Sequence, residues 1–226
     1  MDSAPPPIRA ILFDLDGTLV DSLADIADAM EGVLAELGLG GHPLGAYRRF
    51  IGEGARRLVE QALEASDAAA DAELRAIAFE RFRERYLSAL TLRSHCYEGV
   101  EALLEALNAR GLKLAVLSNK PHEATVRVVE RLLGAHPFAQ VLGESERTPP
   151  KPDPRGASRI AETLGVEPAA VLFVGDTPID VQTARAAGMR PIGVGWGMRD
   201  RLELEAAGAE AVIEHPADLL GLLASE

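Results

Sequence analysis

Two carboxylates two residues apart, Asp14 and Asp16 in the run Asp14-Leu15-Asp16-Gly17-Thr18, follow directly on the apolar stretch Ile11-Leu12-Phe13. Residues i and i+2 of an extended segment point to one side, so both carboxylates can address one bound group, and Gly17 lets the chain turn away. The same residues, taken alone, fit an Asp-Gly turn that closes a strand. Two carboxylates at a buried strand end cost desolvation energy unless a cation compensates them, and that favours the functional reading.

A second acidic pair lies in Gly175-Asp176-Thr177-Pro178-Ile179-Asp180. Asp176 also fits a helix N-cap, with Pro178 in the first helical turn. Asp14, Asp16, Asp176 and Asp180 together form a set of acidic oxygens suited to a hard divalent ion such as Mg2+, which prefers few carboxylates, retained waters and a substrate phosphate. Lys151, between Pro150 and Pro152, reads alone as a solvated loop lysine. Beside an acidic site that accepts a phosphate it would supply the missing positive charge, since two like charges about 4 Å apart repel by roughly 4 kcal/mol at an effective dielectric of 20. Ser118 and Asn119, after Leu114-Ala115-Val116-Leu117, can donate hydrogen bonds to phosphate oxygens or cap the helix that follows.

The elements that must position these groups can be read from apolar spacing. Short runs rich in β-branched residues alternate with helical stretches from residue 94 onward. Strands are expected at Lys113 to Leu117, Phe138 to Leu142, Val171 to Val174, Pro191 to Val194 and Ala211 to Ile213. Such alternation predicts an α/β fold, a Rossmann-like parallel sheet with helices on both faces. A further strand, Ile8 to Phe13, lies far upstream. Helices are expected between it and the rest at Ser22 to Leu37, Ala55 to Ala65 and Asp71 to Leu90, with Ser22 as the first N-cap and Gly38 as its stop. The expected organisation is therefore a discontinuous core, residues 1–20 and 94–226, carrying an inserted all-helical cap at 21–93. Ligands of open α/β sheets bind beyond the carboxyl ends of the strands. Asp14 with Asp16, Ser118 with Asn119, Lys151, and Asp176 are all expected at that one edge.

With these residues placed, the chain resembles the haloacid dehalogenase-like superfamily of aspartyl-phosphate enzymes. Its four signature elements occur in order: Asp14-x-Asp16-Gly17-Thr18, Ser118, Lys151, and Gly175-Asp176-x-x-x-Asp180. The resemblance implies Asp14 as nucleophile, Asp16 as general acid and base, and Ser118 and Lys151 as phosphate binders. It also implies Mg2+ held by Asp14, Asp176 and the Asp16 backbone carbonyl, with Asp180 as a more distant or occasional ligand. Asp16 speaks against the dehalogenase and phosphonatase branches, which lack the second acid. Thr18 leans toward a phosphatase rather than a sugar phosphomutase, and a catalytically silent phosphate-binding module is the reading from another class.

A nearer resemblance is to the phosphoglycolate phosphatase group. It rests on Leu117-Ser118-Asn119-Lys120-Pro121, Pro150-Lys151-Pro152-Asp153-Pro154 and Gly193-Val194-Gly195-Trp196-Gly197-Met198-Arg199. It implies that Gly52-Glu53-Gly54-Ala55-Arg56-Arg57 turns toward the site, with Thr18, Asn119, Glu53 and Arg56 as candidate substrate contacts and Trp196 as a candidate wall. The expected substrate is a small phosphomonoester, 2-phosphoglycolate or a similar molecule.

Composition bounds the alternatives. The chain has 226 residues, 47% apolar and 26% charged, with a formal charge of -12, which opposes attraction to nucleic acid or an anionic membrane. Met1 to Pro7 offers no basic n-region, and the apolar run after it is too short for a signal peptide or membrane span, so the expected compartment is the cytoplasm. Cys96 is the single cysteine, which excludes an intrachain disulfide and makes an inert side chain the expectation. No Gly-x-x-x-x-Gly-Lys-Ser/Thr run marks a nucleotide-binding loop. The expected assembly is a monomer or homodimer.

Overall fold

The computed structural model describes residues 6–66 and 72–224. The N-terminal expectation at Met1 to Pro5, the Asp67 to Asp71 turn and the start of the third expected helix lie outside the described residues. The elements run β1 (Ala10–Phe13), β2 (Val20–Asp21), α1 (Leu23–Glu36), α2 (Leu44–Phe50), α3 (Ala55–Ala65), α4 (Ala72–Ser88) and β3 (His95–Cys96). Then follow α5 (Val100–Ala109), β4 (Lys113–Pro121), α6 (His122–Leu133), β5 (Gln140–Glu144), α7 (Arg155–Leu164) and β6 (Val171–Gly175). The chain ends with α8 (Pro178–Ala186), β7 (Arg190–Val194), α9 (Arg201–Ala207), β8 (Ala211–Ile213) and α10 (Asp218–Leu222).

Six strands form one parallel sheet in the order β5-β4-β1-β6-β7-β8. β1 sits between β4 and β6, with Phe13 level with Val116 on one side and Val174 on the other. That register sets the strand ends that carry Ser118, Asp14 and Asp176 side by side. β1 alternates between two cores: Ile11 and Phe13 face one, Ala10 and Leu12 the other. Both faces are covered by helices, which is why the strands read as continuous apolar runs.

The cap helices α1 to α4 leave the core after β1 and return before α5. The two connections pair as antiparallel strands, Val20 with Cys96 and Asp21 with His95. Asp25, buried in α1, fastens the return: its carboxylate accepts from Arg93 N at 2.9 Å, Ser94 N at 2.8 Å and Ser94 Oγ.

Local structure corrects several expectations. Ser22 makes no capping bond, because its hydroxyl donates to Asp16 Oδ1 at 2.5 Å. Ser118 and Asn119 do not cap α6: β4 continues through them to Pro121, which occupies the N-cap position. Thr177, not Asp176, starts α8, and Pro178 takes the first helical position. α2 has no counterpart among the expected helices; it is a seven-residue helix begun by Pro43. The third strand of the core, β5, starts two residues later than Phe138 and runs on to Glu144.

Candidate active site

The carboxyl ends of β4, β1 and β6 bring together three buried carboxylates. One oxygen each from Asp14, Asp176 and Asp180 lies within 4.8 Å of the others. Gly17 makes this closeness feasible: its backbone is left-handed at φ +87°, and a Cβ there would stand 2.1 Å from Asp176 Oδ2. The chain can therefore double back against the Asp176 carboxylate only with glycine at this position.

Lys151 is buried among these acids, not solvated. Its Nζ donates to Asp180 Oδ1 at 2.6 Å and stands 2.7 Å from Asp14 Oδ1. One buried ammonium thus bridges the carboxylates of Asp14 and Asp180. Burial would strip Lys151 of its proton, but Asp14 and Asp180 outweigh it and hold the ammonium above its ordinary range. Burial also pushes Asp14 up to about 7, against the pull of Lys151 and with the push of Asp180 and Asp16. Asp176 is driven well above its usual range by burial and then by Asp14 and Asp180; the Met198 N–H and Lys151 work the other way.

Three carboxylates against one ammonium leave a surplus of buried negative charge. That surplus fits a divalent cation bound by hard oxygen donors. Asp180 is partly committed elsewhere, since its Oδ2 accepts from Thr177 N at 3.0 Å and Thr177 Oγ1 at 2.7 Å.

Asp16 faces another way. Its side chain pairs with the buried ammonium of Lys120, Nζ to Oδ1 at 2.5 Å, and accepts from Ser22. The Asp16 carboxylate is thus not part of the acidic triad. Burial opposes the charge on Lys120, yet Asp16 and then Tyr86 hold the ammonium above its ordinary range.

A cleft opens above these groups, between the strand ends and the inserted helices. Its floor is Asp14, Asp16, Ser118, Asn119 and Lys120; its far wall is apolar, formed by Ile51, Leu58, Phe82 and Tyr86 of the cap with Gly52 and Gly54 at the rim.

The haloacid dehalogenase-like hydrolase family model matches residues 8–188, which span the first strand, the whole cap and every residue of the acidic cluster. The chain belongs to the haloacid dehalogenase-like hydrolase family. Phosphoglycolate phosphatase of Rhodospirillum rubrum is 38% identical over 93% of this chain and 89% of its own length. The enzyme of that name from Aquifex aeolicus is 35% identical over 96% and 97%. Among solved structures, a Haemophilus somnus protein predicted to be a phosphoglycolate phosphatase superposes with a TM-score of 0.87 at 28% identity, covering 95% of this chain and 97% of that one.

This member of the family uses its candidate residues unevenly. Asp14, Asp16, Ser118 and Asn119 line the cleft and Lys151 lies against its floor. The Asn119 side chain, expected to meet substrate, is spent on positioning: Oδ1 accepts from Lys151 N at 2.6 Å, while Nδ2 donates to Lys151 O and Gly52 O, each at 3.0 Å. Thr18 likewise donates to Asp176 Oδ1 at 3.2 Å. Glu53 and Arg56 do not line the cleft. Glu53 is exposed, and Arg56 stacks on Phe79 with its guanidinium 4.1 Å from the ring centre. Trp196 does not line the cleft either, since its Nε1 donates to Thr18 O at 3.0 Å.

Lys120 is the group that reading the residue types passed over. It stood in the run Leu117 to Pro121, two positions beyond Ser118 on the same strand. In an extended segment that spacing puts it on the same side as Ser118, a signal as direct as the one used for Asp14 and Asp16.

Proposed function

We propose that this protein is a magnesium-dependent phosphatase acting on a small phosphomonoester through an aspartyl-phosphate. The observation that carries the reading is the division of labour between two neighbouring acids. Asp14 is sunk among carboxylates and Lys151, while Asp16 is turned to Lys120 at the cleft floor. A cation bound among the acids would keep Asp14 ionised as a nucleophile, and Asp16, at the cleft floor, stands where a leaving group would be.

The enzyme is a phosphoric monoester hydrolase in which the Asp14 carboxylate attacks phosphorus in line with the leaving oxygen. Lys151 and the Ser118 hydroxyl receive the phosphate oxygens, and Asp16 delivers a proton to the departing alkoxide. Asp16, now ionised, takes a proton from the water that cleaves the acyl phosphate and so returns to its starting state. Asp14, Asp176 and the Asp16 main chain, with Asp180 close by, would hold Mg2+. The ion supplies neutralisation of the phosphate's charge, without which a carboxylate nucleophile is repelled. The inserted helices 21–93 act as the cap that excludes water over the cleft.

The substrate is 2-phosphoglycolate or a molecule of similar size. Support comes from the activity named for the R. rubrum and A. aeolicus relatives and from a cleft whose lining carries one cation, Lys120, opposite an apolar wall. Hydrolysis of 4-nitrophenyl phosphate with Mg2+, abolished in Asp14→Asn, tests the class. A panel of phosphoglycolate, sugar phosphates, pyrophosphate and nucleotides ranked by kcat/KM tests the substrate. A pure, Mg2+-loaded protein that turns over no phosphomonoester would overturn the proposal.

A further inference from the structure

Four consecutive residues after β7 divide their bonds between the acidic floor and the cap. Trp196 Nε1 donates to Thr18 O, and Met198 N donates to Asp176 Oδ2 at 2.8 Å. Gly197 O accepts from the Arg48 guanidinium of α2 at 2.7 Å. Arg199 donates to three carbonyls of the cap: Arg48 O, Arg49 O at 3.2 Å and Ile51 O at 3.0 Å.

The chemistry of a helix end explains the last contact. The final carbonyls of α2 have no partner within the helix, and the negative end of its dipole favours a cation. A guanidinium spreads its donors over separate nitrogens in a planar fork, here Nη1 on Arg48 O and Nη2 on Arg49 O and Ile51 O, a spacing that the single nitrogen of an ammonium does not reproduce. The neighbouring Arg49–Glu203 pair, at 3.0 Å, is exposed and adds little.

These bonds reach the cleft. Ile51 and Gly52 line it, and their carbonyls are held from two sides, Ile51 O by Arg199 and Gly52 O by Asn119 at the end of β4. The segment is also pinned below. A Cβ on Gly197 would stand 2.3 Å from Asp176 Cβ and 2.5 Å from Gly17 O, so the loop packs directly on the acidic floor, to which the Met198 N–H ties it.

We infer that Arg199 is a positioning residue that latches the cap over the cleft and, through Met198 and Asp176, ties that latch to the acidic floor. An open cap would lose all three carbonyl contacts together, and the Ile51–Gly52 wall would leave the substrate's leaving group. The inference uses the phosphatase reading only for its kinetic consequence.

Hydrogen exchange on the full-length protein, without substrate, tests the latch directly. In Arg199→Ala the amides of residues 44–58 should exchange at least about tenfold faster, while those of α1 and β1 keep their wild-type protection. KM for the best phosphomonoester should rise about fivefold or more, with a smaller change in kcat. Arg199→Lys, which keeps the charge but not the two-nitrogen fork, should follow Arg199→Ala in both readouts. Unchanged exchange over 44–58, or full restoration by lysine, would overturn the latch. If Arg199→Ala fails to fold, Arg48→Met removes the reciprocal contact from the cap side and carries the same expectation. Exchange needs no turnover, so an inactive wild type with the expected pattern would sink the phosphatase reading alone.

Discussion

Lys151 Nζ and Asp14 Oδ1 lie 2.7 Å apart beneath the cleft, in a buried ion pair. The lysine comes from the loop between β5 and α7 and the aspartate from the end of β1, so the pair joins two segments far apart in the chain. Lys151 also serves Asp180, which makes it the counter-charge for a cluster that would otherwise be wholly acidic.

Removing that counter-charge should destabilise the metal-free protein. Lys151→Met leaves buried carboxylates unpaired, at a cost of roughly 3–5 kcal/mol. Urea unfolding should show it, and saturating Mg2+ should return part of the loss. Equal midpoints for the variant and the wild type in EDTA would contradict this account.

Magnesium should stabilise the wild type in proportion to its occupancy. At a concentration about 100 times the dissociation constant the gain is about 2.7 kcal/mol. Asp176→Asn should abolish the gain, visible as a melting temperature that no longer responds to Mg2+. Because burial drives the Asp176 carboxyl well above its usual range, the neutral replacement costs the EDTA-treated fold little.

Asp16 should separate the two chemical steps. 4-Nitrophenolate departs with little need of a proton, so Asp16→Ala should still release about one equivalent in a burst. It should then stall at the phosphoenzyme, with steady-state turnover down by about 10²–10⁴. Alkyl phosphates, whose leaving group needs the proton, should show no burst.

Arg56 lies outside the cleft against Phe79, so it should matter little to binding. Arg56→Ala is expected to change KM for any phosphomonoester by less than about twofold and stability by about 0.5–1 kcal/mol, the scale of an exposed cation–π contact. A tenfold rise in KM for carboxylated substrates alone would return Arg56 to the role its neighbours in the sequence implied.

Cys96 should be a slow thiol. Burial, with some help from Glu101, pushes it up to about 11 from a starting value of 9.0. The thiolate is the reactive form, so at pH 8 its population, and the rate of alkylation, should be about 100-fold lower than for a thiol at its ordinary value. The rate should keep climbing as pH rises from 8 to 10, and a plateau near pH 9 would contradict the shift.

The amino-acid sequence by itself determined the elements and the edge at which chemistry could occur. Apolar alternation placed β1, β4, β6, β7 and β8 within a few residues of their observed bounds, because a strand buried on both faces leaves a dense local signature. It placed Asp14, Asp16, Ser118, Lys151 and Asp176 at strand ends or in the loops beyond them for the same reason. Only the tertiary structure decided how these groups share their bonds. Nothing local says that Asp16 turns to Lys120, that the Asn119 side chain ties Lys151 to Gly52, or that Arg56 lies on Phe79. α2 escaped notice because it is one short helix held by Arg199, some 150 residues later in the chain. Hydrogen bonds and ion pairs between distant segments depend on which side chains the fold brings within about 3 Å, and residue types and spacing carry no measure of that.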